Sequence, residues 1–86
     1  MKVLKEADKT IKSRAKHYGP VEENWDNIAR LWSAYLDIKI TSEDVGVLNI
    51  LQKVARLKED NKLFDNYVDI AGYSALIGDI VEKAQR

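Results

Sequence analysis

Apolar positions recur along this chain with the spacing of amphipathic helices, in four segments separated by turn-forming residues. In the first, about residues 3–16, Val3, Leu4, Ala7, Ile11 and Ala15 form a narrow apolar stripe, and Lys and Arg cover the remainder. His17-Tyr18-Gly19-Pro20 ends it, because Gly suits the position after a helix and Pro cannot continue one. The second, about residues 22–36, opens on Pro20, Glu22 and Glu23, where the helix dipole favours negative charge. Val21, Trp25, Ile28, Ala29, Trp32, Tyr35 and Leu36 give it one broad apolar face.

Thr41, with Asp44 three residues on, reads as a short variant of the capping box and starts the third helix, about residues 42–58. Its apolar residues fall on two faces: Val45, Leu48, Leu51 and Ala55 on one, Val47, Ile50, Val54 and Leu57 on the other. That pattern predicts a central helix, covered on most sides. A polar turn at residues 59–63 leads to the fourth helix, about residues 65–83. Its internal Gly72 and Gly78 each cost about 1 kcal/mol relative to Ala. Gly72 lies among Ile70, Ala71, Ser74 and Ala75, so close helix approach is its expected reason. The fold class predicted is all-α: a single small four-helix bundle over residues 1–86, with helices three and four as the central pair.

Length alters this picture. A chain of 86 residues buries only about 60% of its unfolded surface. A homodimer, or another homo-oligomer, is therefore expected. Trp25, Trp32 and Tyr35 give helix two more apolar surface than so small a core covers. Cys is absent, so disulfides and thiolate metal sites are excluded. No apolar run is long enough to span a bilayer and no signal-peptide pattern occurs, so a cytoplasmic protein with no membrane partner is expected. The 14 basic and 14 acidic residues cancel, but residues 1–19 carry a net +4. Without aromatic interleaving or a recognition-helix signature, a solvated helix face is the expected meaning, and nucleic acid is not an expected partner.

The candidate chemistry is a polar stripe in the most apolar helix. Asn49, Gln52, Lys53 and Arg56 are spaced i, i+3, i+4, i+7, one helix face. A partly buried Lys and Arg need partners, and helix four offers Asp65 and Asp69 at i and i+4. An antiparallel pairing of the two helices predicts three rungs: Arg56 with Asp65, Lys53 with Asp69, and Asn49 with Tyr73. Such a seam either only fixes helix register or opens to a pocket in which Lys53 and Arg56 hold phosphate. A second cluster joins His17, the one histidine, to Asn24 and Trp25. His17 suits a cap or surface role, and Asn24 a helix-start role. Imidazole metal ligation is not expected of a lone histidine. No P-loop, dinucleotide fingerprint or Ser-His-Asp arrangement is present.

The runs Tyr18-Gly19, Asn24-Trp25, Leu31-Trp32-Ser33-Ala34-Tyr35-Leu36, Lys53-Val54-Ala55-Arg56, Asp65-Asn66 and Asp69-Ile70-Ala71-Gly72-Tyr73 resemble a family of small phage and prophage domains of unknown function. The resemblance covers about residues 14–80 and implies a phage or prophage origin, hence a host-cell cytoplasm, but no activity. More distantly, Asp69-Ile70-Ala71-Gly72-Tyr73 resembles the MazG-like all-α nucleoside triphosphate pyrophosphohydrolases, whose ExxE and ExxD helices hold Mg²⁺. Those motifs fall on Asn49 and Gln52, then on Asn66 and Asp69, so three of four carboxylates are amides. Mg²⁺ prefers charged carboxylate oxygens.

Three readings of function stand at this point. One is a non-catalytic phage accessory protein, needing no cofactor, that binds a nucleotide-like ligand or a host protein. Its site takes Lys53, Arg56, Asn49, Asp65, Asp69, Tyr73, His17, Asn24 and Trp25, with Trp25 or Tyr18 as a stacking face. The second is a divergent Mg²⁺-dependent pyrophosphohydrolase with Asp69 and Asp65 as metal ligands. The third is a purely structural interaction module.

Overall fold

The fold is that of a computed structural model, which describes residues 1–85. Four helices make it up: α1 (Lys2–Tyr18), α2 (Val21–Leu36), α3 (Ser42–Leu57) and α4 (Phe64–Ala84). The described residues contain no strand. Helix α1 runs on through His17 and Tyr18, beyond the expected end near Lys16. The His17 ring nitrogen lies 2.9 Å from the Ser13 carbonyl, a contact that suits a helical position. Gly19 then ends the helix with φ 76°, and its N–H donates to the Ala15 carbonyl.

Asp37 ends α2 in the left-handed region, at φ 55°. Asp tolerates that conformation better than most residues. The Ser33 hydroxyl then accepts from the Ile40 N–H (2.9 Å) and donates to the Ile40 carbonyl (3.2 Å), folding the connection back along α2. The capping box of α3 forms in full. The Asp44 N–H donates to the Thr41 hydroxyl at 3.2 Å, and the Thr41 N–H donates to the Asp44 carboxylate at 2.9 Å. The Ser42 hydroxyl donates to the Asp26 carboxylate, fixing the start of α3 against the middle of α2.

Packing follows the order α1–α4–α3–α2, with α3 and α4 the most extensive pair. The core lies where α2, α3 and the second half of α4 meet. Trp25, Ala29, Val45 and Ile80 are buried there, and Tyr73, Leu76 and Ile77 pack against them. On the other side of α4, Ala7 of α1 packs by Gly72.

Two expectations need correction. The close approach falls at Gly46, not Gly72. A Cβ on Gly46 would meet the Trp25 ring at 2.7 Å as well as the Ile77 side chain, whereas one on Gly72 would reach Ala7 only at 4.0 Å. Helix α3 is also not covered on most sides. Val47, Leu48, Leu51 and Val54 are 40–53% exposed. Both of its major neighbours, α2 and α4, lie on the side of Val45 and Gly46, while α1 packs on α4 instead.

Candidate functional site

A cleft of about 240 Å³ opens between α1, α2 and α4, with one residue of α3 at its inner edge. Each helix contributes by its period. On α1, Ala7, Ile11, Arg14 and Tyr18 recur at i, i+4, i+7 and i+11, so the apolar stripe that docks on α4 continues into the wall. On α2 the lining residues are Val21, Asn24, Trp25 and Ile28, and on α4 they are Val68, Asp69, Gly72, Tyr73 and Leu76. The absent side chain at Gly72 leaves room over α4.

Six sequence candidates converge on this cleft: Tyr18, Asn24, Trp25, Asn49, Asp69 and Tyr73. Trp25 and Tyr73 form a tilted aromatic pair, with ring centroids 6.4 Å apart. Lys53 stands behind the lining, its ammonium 3.0 Å from the Asp69 carboxylate. The side chains of that pair are only 17% and 31% exposed, so it is screened far less than a surface pair. The middle rung of the predicted seam therefore forms. Asn49 and Tyr73 share the cleft as well, on neighbouring helices.

The outer rung does not form. Arg56 and Asp65 are exposed, stand outside the cleft and make no ion pair among the described residues. The stripe Asn49-Gln52-Lys53-Arg56 spreads over roughly 100° of helix circumference. Asn49 and Lys53 fall on its buried edge, Gln52 and Arg56 on its exposed edge. His17 is exposed too and does not line the cleft, although its ring lies beside Tyr18 at 6.4 Å.

Arg14 was missed by sequence reasoning. Among the described residues it is the one Lys or Arg side chain lining the cleft, and it has no ion-pair partner there. The signal was available, since Arg14 stands i+7 from Ala7 and i+3 from Ile11, on the edge of the stripe that docks α1. It was hidden among five lysines of the same basic segment.

Asp65 is exposed and Asp69 is engaged by Lys53. Of the three amides at the motif positions, Gln52 is exposed, Asn49 half-buried and Asn66 buried. No group of three or more His, Asp or Glu side chains suited to a metal ion occurs among the described residues. Nor is any helix of the described residues long and apolar enough to cross a membrane.

No solved structure matches the chain. Two phage proteins are similar to it. The Gene 55 protein of Mycobacterium phage L5 is 43% identical over 87 residues, which cover 99% of this chain and 53% of the relative. The Gene 55 protein of Mycobacterium phage D29 is 40% identical over 82 residues, covering 94% and 54%. The chain thus spans about half the length of the curated relatives it matches. With residues 2–81 matched by the model of a domain of unknown function, DUF6378, the chain belongs to that family.

Proposed function

We propose that this chain is a phage or prophage accessory protein that binds a nucleoside-like or nucleotide-like ligand in the cleft between α1, α2 and α4, without converting it. One observation carries this reading: a single small cleft is lined by an aromatic pair, two amides, a carboxylate and an unpaired arginine. Tyr73, backed by the buried Trp25 ring, and the exposed Tyr18 offer ring faces for a base. Asn24, Asn49 and Asp69 offer the donors and acceptors that a base edge requires. Arg14 supplies the charge and planar donors that suit phosphate. The sequence alone had assigned that task to Lys53 and Arg56. Lys53 is already held by Asp69, and Arg56 stands outside. A volume of about 240 Å³ is below the roughly 300 Å³ lower end of ordinary ligand pockets. One ring system with its sugar fits better than a whole triphosphate, so phosphate would project toward Arg14.

The phage relatives support the setting. The placement of the amides and of Asp65 speaks against the Mg²⁺-dependent, MazG-like reading, because the donor set does not fit a hard dication. A purely structural role is favoured by one feature, the closed Lys53–Asp69 pair, which fixes the register of α3 on α4 whether or not a ligand binds.

The experiment is a melting-temperature screen against nucleosides and nucleoside mono-, di- and triphosphates, with anion-exchange analysis of the same mixtures in Mg²⁺. A ligand present at a hundred times its Kd stabilises by about 2.7 kcal/mol, a shift readily seen for a small domain. Arg14→Ala should weaken the response to phosphorylated ligands and spare that to nucleosides. No response to any ligand would overturn the binding reading and leave the structural one. Release of monophosphate would overturn the non-catalytic one.

A further inference from the structure

Helix α3 is apolar on both sides, yet the fold covers one. Val45 and Gly46 are buried against α2 and α4, while Val47, Leu48, Leu51 and Val54 line the opposite side at 40–53% exposure, with Ala55 exposed beside them. Their spacing, i, i+1, i+4, i+7 and i+8, is that of a helix-packing stripe, not of scattered surface residues. The ends of this stripe are charged with opposite signs. Asp44 lies three residues before Val47, and Lys58 lies three residues after Ala55.

This pattern is its own complement. We infer that the outer face of α3 is a homodimer interface in which two copies of the helix pack antiparallel about a two-fold axis at Leu51. With Leu51 facing Leu51 of the second copy, Leu48 meets Val54, Val47 meets Ala55, and Asp44 meets Lys58. Within the stripe each apolar residue then faces an apolar residue, and the two end charges face each other with opposite sign, as a self-complementary isologous contact requires. A parallel pairing would instead set Asp44 against Asp44 and Lys58 against Lys58. The antiparallel arrangement also places each helix N-terminus, with its positive dipole end, beside the negative end of the partner. The rim carboxylate stays in its capping box, where one oxygen accepts the Thr41 N–H; a carboxylate has acceptor capacity for a second donor. One helix stripe is smaller than the roughly 800 Å² per partner of a standard interface. The dimer is therefore concentration-dependent, and the rim charges make it weaken with salt.

The test is sedimentation velocity of the whole chain over a wide dilution series, with a cysteine cross-link to fix the register. The natural sequence has no cysteine, so single replacements report cleanly. Dimer growing with concentration is expected, lost in Leu51→Glu while its helical circular dichroism stays unchanged. Under mild oxidation Leu51→Cys should cross-link to itself. Asp44→Cys should cross-link to Lys58→Cys in a mixture, and Lys58→Cys should not cross-link to itself. A monomer at every concentration would overturn the inference and leave the face to some other protein. So would a dimer indifferent to Leu51→Glu, or efficient Lys58–Lys58 cross-linking through the cysteine variants.

Discussion

Gly46 shows how one missing side chain sets the geometry of this bundle. The Trp25 ring and the Ile77 side chain occupy the space that a Cβ at Gly46 would need. Trp25 is 3% exposed and has nowhere to retreat. In Gly46→Ala, overpacking of about 1–3 kcal/mol opposes a helix-propensity gain of about 1 kcal/mol. The net effect expected is a loss of stability. Gly78 is the contrast: a Cβ there meets nothing within 4 Å. Gly78→Ala should gain about 0.5–1 kcal/mol. Urea unfolding of both variants measures the difference, and equal midpoints would refute the packing account. Composition shows both glycines and cannot tell them apart. Gly72 sits among small residues and looked like the point of contact, but the contact depends on where Trp25 arrives from another helix. The same limit applied at Lys53. Its spacing to Asp69 was legible as a pair, because facing turns of neighbouring helices meet at regular intervals. Whether that pair bordered a cleft was not.

Among the elements, α3 has its N-terminus secured most fully. Thr41 and Asp44 satisfy two otherwise unpaired N–H groups reciprocally, and Ser42 ties the same turn to Asp26 of α2. Thr41→Ala removes the acceptor for the Asp44 N–H and should cost about 1 kcal/mol. An unchanged unfolding midpoint would mean that packing alone holds this end. The cap was legible because it depends on residues three apart. The Ser33 bridge to Ile40 was not, because a serine in a helix and an isoleucine in a loop carry no mutual signature. Helix α2 shows the same contrast. Its broad apolar stripe predicted the helix, but within that stripe Trp25 and Ala29 are buried while Tyr35 and Leu36 are more than half exposed. The surplus surface expected of Trp25 is therefore absent, and what remains lies at the far end of the helix.

The whole molecule is unevenly held. Ala7 is the one buried residue of α1, whereas the main core belongs to α2, α3 and α4. Segments with few buried contacts open at low free energy. Backbone amides of α1 should therefore exchange hydrogen faster than those around Val45 and Ile80, and a ligand in the cleft should slow α1 most, since α1 forms a wall of it. Equal protection across the four helices would contradict this view of the fold. Helix number, the polar turns and the α3 cap follow from hydrophobic period, capping chemistry and turn residues, all local properties of a chain, and the short turn that makes α3 and α4 antiparallel neighbours extends this to the Lys53–Asp69 pairing. The covered side of α3, the close approach at Gly46 and the entry of Arg14 into the cleft depend on which helices become neighbours. That choice rests on how side chains far apart in sequence fill common space, and no local pattern encodes it.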